Sequence, residues 1–266
     1  METYQLKRIT ILVLLLVNLA LLGLLGQSAL QQRNARQQAL MHLKDLYLSS
    51  GAELALDTLP REEKQNSATV QHSSAAEAAF AAAFLGEADM QESGSSMLYS
   101  SKLGAMRLRR NSAFELNMYS PCLTEEACLT LLGELGYTTF SHRDSNGTVY
   151  LTQAVEGIPV VDATVTLHFS GGFLTSATGF YITGIQETEN LPSYTAADAL
   201  SSFLQYTLEQ KIAPLRVLGI TPARQLSAQT LFQSTLLPAW IIRTENAVYY
   251  VGYGGSEIAP LSTNLS

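Results

Sequence analysis

Cysteine is nearly absent from this chain, with only Cys122 and Cys128 in 266 residues. Two thiols cannot make a disulfide scaffold, and a chain of this length buries a core without one. Whether they pair is left open by the sequence: an oxidising compartment would allow it, yet Cys128 falls in phase with Leu131, Leu132 and Leu135 on one helical stripe, as a buried thiol would. Histidine is also scarce. His42, His72, His142 and His168 are scattered without H-E-x-x-H or any other ligand spacing, and the two cysteines lack the short gap of a zinc knuckle. There is no G-x-S-x-G, no phosphate-cradling glycine loop and no dinucleotide fingerprint. No catalytic residue, metal or cofactor is expected, and the chain reads as a binding protein rather than an enzyme.

Charge is missing from one long stretch. Ile9 to Gly26 (ITILVLLLVNLALLGLLG) carries none, and as a helix it would span about 27 Å, close to the hydrocarbon thickness of a bilayer. This predicts a single-pass anchor over 9–26. A cleaved signal peptide is the alternative, favoured by Lys7, Arg8 and the small residues Gly26 and Ser28, but the apolar run is long for one and lacks a clear A-x-A site. Lys7 and Arg8 lie on one flank; Arg33, Arg36 and Lys44 are more dilute on the other, which places residues 1–8 inside and the rest outside. Basic charge is then short in the distal part: residues 49–266 hold eleven Lys and Arg against twenty-one acids, a net of −10. Such a surface repels nucleic acid and anionic headgroups, so neither is expected as its ligand.

Behind the anchor, 27–48 is rich in helix formers, with Leu40, Leu43 and Tyr47 at helical spacing, and reads as a stalk ended by Ser49-Ser50-Gly51. Leu59 to Ser67, with Pro60 and the REEK run, reads as a linker. One pattern then occurs three times: a capped helix followed by short alternating strands. In the unit at 49–119, Ser74 to Glu77 forms a capping box, Phe80 and Phe84 mark an apolar face, and strands follow at 97–99, 105–109 and 114–119. In the unit at 120–190, Thr124, Glu125 and Glu126 open a helix that Gly136 closes, and strands follow at 149–155, 160–169 and 173–180, the first entered through a turn at 144–147. In the unit at 191–266, Thr195 to Asp198 is a second capping box, Leu200, Phe203, Leu204 and Leu208 share a face, and strands follow at 225–232, 239–243 and 248–253, the last two joined by Thr244-Glu245-Asn246. A helix that cannot bury its stripe alone needs a sheet beneath it. The expected class is α+β: a transmembrane helix, then tandem units of a helix laid on an antiparallel sheet.

Gly171-Gly172 and Gly254-Gly255 fit turns needing positive φ, and His168 falls on the outward side of an alternating strand. Trp240, between Leu237-Pro238 and Ile241-Ile242, reads as a core anchor. Asn146-Gly147-Thr148 and Asn264-Leu265-Ser266 match glycosylation acceptors, a signal too short to argue from.

The run Tyr150-Leu151-Thr152-Gln153-Ala154-Val155-Glu156-Gly157-Ile158-Pro159-Val160, followed by an alternating strand and Gly171-Gly172, resembles the strand pair of PepSY-like modules, including those of the YycI/YycH proteins. Here Gly157 would make the tight turn and Pro159 would sit where no ladder donor is needed. Leu237-Pro238-Ala239-Trp240 with Val248-Tyr249-Tyr250-Val251 and Gly254-Gly255 is similar to the ending of the same group, and so is a short anchor with a central Asn18. The resemblance covers the anchor and about 120–258. It implies an extracytoplasmic accessory regulator in a Gram-positive envelope that binds a membrane sensor histidine kinase, and with it a paralogous accessory protein, through the membrane helix. The candidate contact stripe is Ile11, Leu15, Asn18, Leu22 and Leu25. The alternative is a PepSY-type inhibitor or chaperone of a secreted peptidase or cell-wall enzyme, acting through a sheet edge.

Overall fold

A computed structural model describes residues 33–60, 66–143, 147–189, 191–192, 194–212, 215–228 and 234–261, with Asn18 and Gln31. Most of the predicted anchor, the 61–65 part of the predicted linker and most of the 144–147 turn lie outside them. Among the described residues no helix is long and apolar enough to cross a membrane.

Helix α1 covers 33–49 and ends at Gly51, whose φ of 76° supplies the left-handed step. Two short strands follow, β1 (Glu53–Leu54) and β2 (Ser67–Val70). Three capped helices come next, each leading into four consecutive strands. Helix α2 (Ser74–Leu85) leads into β3 (Asp89–Ser93), β4 (Ser96–Ser100), β5 (Gly104–Arg109) and β6 (Ala113–Met118). Helix α3 (Glu125–Glu134) leads into β7 (Tyr137–Arg143), β8 (Val149–Val155), β9 (Ile158–Ser170) and β10 (Phe173–Phe180), after which β11 (Ile185–Glu189) crosses over. Helix α4 (Ala196–Glu209) leads into β12 (Arg216–Ala228), β13 (Ser234–Thr244), β14 (Val248–Gly252) and β15 (Ile258–Leu261). The repeated order is that expected, with one more strand in each unit: β3, β7 and β15 were not predicted. β3 is exposed throughout and has no apolar alternation to betray it.

The caps are mostly where the sequence places them. Thr195 and Asp198 form the full box, with Thr195 N–H donating to Asp198 Oδ2 at 2.9 Å and Asp198 N–H to Thr195 Oγ1 at 3.1 Å. Thr124 Oγ1 accepts from Ala127 N–H at 3.4 Å. In the first unit the expected box does not form. Ser73, one residue earlier, caps the helix by accepting from Ala76 N–H, and Glu77 turns instead to His72 Nδ1 at 3.1 Å. Two serines in succession offer two possible starts, and the histidine decides between them. Leu208 is a second correction: it is exposed, and Thr207 takes the buried position, bonded to Leu204 O at 2.8 Å.

The sheets do not remain separate. β6 pairs with β10 edge to edge, so the first two units form an eight-stranded antiparallel sheet in the order β3-β4-β5-β6-β10-β9-β8-β7. Helices α2 and α3 share its covered face and one core, which contains Phe80, Phe84, Met106, Phe114, Leu116, Cys128, Leu132, Tyr137 and Leu167. Phe80 stacks on Tyr181 at 3.9 Å and meets Phe114 edge-on. The other face carries Arg107, Glu115, Thr166 and His168. In the third unit β12 to β15 form an antiparallel meander, to which β1 adds in parallel on β12 and β2 adds on β13, with β11 on β2. A single parallel pair, Val160 with Arg224, links β9 to β12 and makes one mixed, 15-stranded sheet. The fold is α+β, as expected, with the antiparallel sheets of the units joined into one mixed sheet. Pairing of β6 with β10 closes one edge of the first unit, while β3 at its other edge stays open.

Helix α1 is not a free stalk. Leu40, Leu43 and Tyr47 are buried with Leu200, Phe203, Val217, Trp240 and Ile242 in the core of the third unit, and Tyr47 donates to Leu200 O at 2.8 Å. The segment after it also belongs there, since β1 and β2 pair with β12 and β13. The N-terminal part of the chain is therefore fastened to the C-terminal unit, with the first two units inserted between them in sequence.

Candidate functional site

The strands bearing the Gln153 to Val160 motif turn on Glu156 and Gly157, with φ of 54° and 79°, a two-residue hairpin of the kind whose twist matches the flanking strands. Val155 pairs with Ile158 and Ala154 with Pro159, so the proline takes the second pair from the turn, where its missing N–H faces away from β8. Glutamate is an unusual residue at positive φ. Its side chain meets another unit: Arg224 Nη2, from β12 of the third unit, lies 3.3 Å from Glu156 Oε2. The Arg224 side chain is 11% exposed, and its Nη1 is buried with no hydrogen-bond partner among the described residues. The hairpin tip of the second unit is thus clipped to the third unit by an ion pair and the Val160 to Arg224 strand pairing.

Gln153 is the other fixed point. At 3% exposure its amide faces the chain where it leaves β10: Nε2 donates to Ile182 O at 3.1 Å, and Oε1 accepts from Ile182 N–H at 2.9 Å. A side chain here replaces a neighbouring strand. Tyr137, paired with Gln153 across β7 and β8, donates its hydroxyl to Phe180 O. Burial pushes the Tyr137 phenol well above its ordinary value, keeping it a neutral donor. Gly136, with φ of 87°, lets Ala154 N–H reach Gly136 O at 2.8 Å; a Cβ there would sit 2.9 Å from Ala154 O.

On the face of the third unit's sheet turned away from α4, Tyr250 donates its hydroxyl to Glu257 Oε1 and Gln225 Nε2 donates to Glu257 Oε2 at 2.6 Å. Desolvation, and then the charge of Glu257, push the Asp162 carboxyl up to about 6, and desolvation and the Glu257 bond push the Tyr250 phenol up as well. This cluster joins β9, β12, β14 and the turn before β15. It has carboxylate acceptors with a phenol and an amide as donors, and no nucleophile beside a base.

The remaining candidates are dispersed. Of the stripe Ile11, Leu15, Asn18, Leu22 and Leu25, only Asn18 is among the described residues, where it is helical and exposed. Cys122 is exposed, Cys128 is buried, and both are free thiols; burial pushes the Cys128 thiol up to about 12, far from a reactive thiolate. His168 is exposed on the open sheet face, and Trp240 is 2% exposed in the core. Among the described residues no group of three or more His, Cys, Asp or Glu is placed to hold a metal. Sequence reasoning singled out Gln153 and Gly157 through the motif. It missed Arg224, whose partner lies 68 residues away and leaves no local pattern.

Residues 139–180, from β7 to the end of β10, match the Fungalysin/Thermolysin Propeptide Motif, which is related to PepSY. The matched residues lie in the second unit and include the strand-pair motif. Among curated proteins none matches the sequence significantly. Two solved structures are similar in layout. An uncharacterised protein from Eubacterium rectale aligns at 9% identity over 79% of this chain and 85% of its own, with a TM-score of 0.42. The Bacillus megaterium YpeB C-terminal domain aligns at 11% identity over 72% of this chain and 99% of its own, with a TM-score of 0.35.

Proposed function

We propose that this protein is a non-catalytic binding module of the cell envelope, held at the outer face of the membrane by residues 9–26, which restrains or assists a secreted peptidase or cell-wall enzyme. The match of 139–180 to a propeptide motif carries this reading. The fold supports it physically. A rigid sheet made of joined units presents β3 as an exposed edge, with unpaired backbone groups available to an extended segment of a partner.

Crosslinking of the tagged full chain in intact cells, followed by mass spectrometry, tests it. A secreted peptidase or cell-wall hydrolase should be captured in stoichiometric amount, and added protease should remove the module from intact protoplasts. Capture of a sensor histidine kinase in its place would overturn this reading in favour of the second one, regulation of a kinase through the membrane helix.

That second reading rests on Asn18, helical and exposed in the midst of an apolar run. A polar side chain at that depth seeks another helix, and such a bond is worth about 0.6–2 kcal/mol. In this reading Asn18→Leu reduces copurification with the kinase severalfold and leaves the distal module's melting unchanged. Equal regulation by the variant and by a module released from its anchor would remove the membrane contact from consideration.

A further inference from the structure

Near the start of α1 a cleft of about 380 Å³ opens between the helix and the segment that follows β1. Arg33 and Arg36, one turn apart, line it together with Leu40, Asp57, Thr58 and Leu59. Leu40 and Leu59 are buried and give it an apolar wall. The arginines occur seven and ten residues beyond Gly26, the end of the uncharged run. They are the first basic residues after that run. Side chains on a helix lean toward its N-terminus, which for α1 is the end nearer the uncharged run.

We propose that this cleft receives the phosphate of an anionic phospholipid headgroup, clamped by Arg33 and Arg36, with Thr58 as a further donor and the glycerol against Leu40 and Leu59. A planar guanidinium suits a phosphate through paired N–H bonds. Arg36 already has a partner in the folded chain, but a guanidinium carries five donors and one contact does not exhaust them. The contrast in charge supplies the purpose. Residues 49–266, at net −10, are pushed away from an anionic surface, whereas this local cationic cleft holds the base of the module against it. Because α1 is packed into the third unit, a lipid held here fixes the orientation of the whole sheet above the membrane.

The inference rests on the anchor being retained. Calorimetric titration of the full chain, in neutral maltoside micelles, with dihexanoyl phosphatidylglycerol tests it. Saturable one-to-one binding is expected, weakened tenfold or more in the Arg33→Gln, Arg36→Gln double variant. Asp57→Asn, which removes an anion from the cleft, should tighten binding, and Lys44→Gln, on the same helix outside the cleft, should leave it unchanged. Dihexanoyl phosphatidylcholine should bind more weakly. Absence of binding, or equal binding by the double variant with an unchanged circular dichroism spectrum, overturns the site. Equal or tighter binding of glycerol 3-phosphate overturns the lipid as its source. A mature chain beginning near residue 29 in cells would refute the retained anchor separately, whatever the titration shows.

Discussion

Replacing Gln153 by leucine is expected to cost about 2–4 kcal/mol, a large share of the stability of an ordinary domain. The substitution keeps most of the volume and removes only the amide. What remains is the backbone of Ile182, buried at 4% exposure, whose N–H and C=O have both been satisfied by that amide. Orphaning a buried backbone group costs about 1–3 kcal/mol, and here two are orphaned together. Gln153→Glu should be nearly as damaging, because a carboxylate can still accept from the Ile182 N–H but opposes its carbonyl. Urea denaturation would show a lower midpoint at unchanged slope. Hydrogen exchange adds a local signature: the Ile182 amide should lose protection before the amides of β8 and β9. A loss below about 0.5 kcal/mol, within the range of surface substitutions, would mean that Gln153 is not the support for this crossover.

The same residue shows how far the sequence could be read. Gln153 stood in a recognisable motif, and the alternation around it gave β8 and β10 their observed ends and β9 its core, because period-two burial is a local property. Its role was not legible, since Ile182 lies 29 residues away across a crossover without pattern of its own. The missed strands share that cause. β3 is exposed on both sides, β15 is short and half-exposed, and β7 follows α3 after only Leu135 and Gly136. Pairing between units was hidden for a related reason. Nothing in the alternation of β6 states that its free edge meets β10, or that β2 and α1, early in the chain, complete the last unit. The candidate site followed the same division: its turn, Glu156-Gly157, was local and visible, and its clasp, Arg224, was not.

Truncation of Trp240 to alanine is the change expected to cost most, about 3–5 kcal/mol, as for other buried aromatic rings cut back to a methyl group. The ring is 2% exposed and lies in the core that joins α1, α4 and three strands of the third unit, and its Nε1 donates to Tyr194 O at 3.1 Å. Removing it opens a cavity between elements far apart in sequence and leaves the Tyr194 carbonyl without that donor. Trp240→Phe separates the two effects: it restores much of the volume and still loses the hydrogen bond, so it should cost about 1 kcal/mol plus a smaller packing loss. Both variants lack the only tryptophan, so far-UV circular dichroism must follow unfolding in place of fluorescence. The loss should not be confined to the third unit's sheet. Tyr47, wholly buried in the same core, ties α1 to Leu200 of α4, and loosening that core should free α1 to exchange its amides faster. If Trp240→Ala melts with the parent and α1 keeps its protection, the ring is not the anchor of this core, and the coupling of the N-terminal helix to the C-terminal unit comes from Leu40, Leu43 and Tyr47 without it.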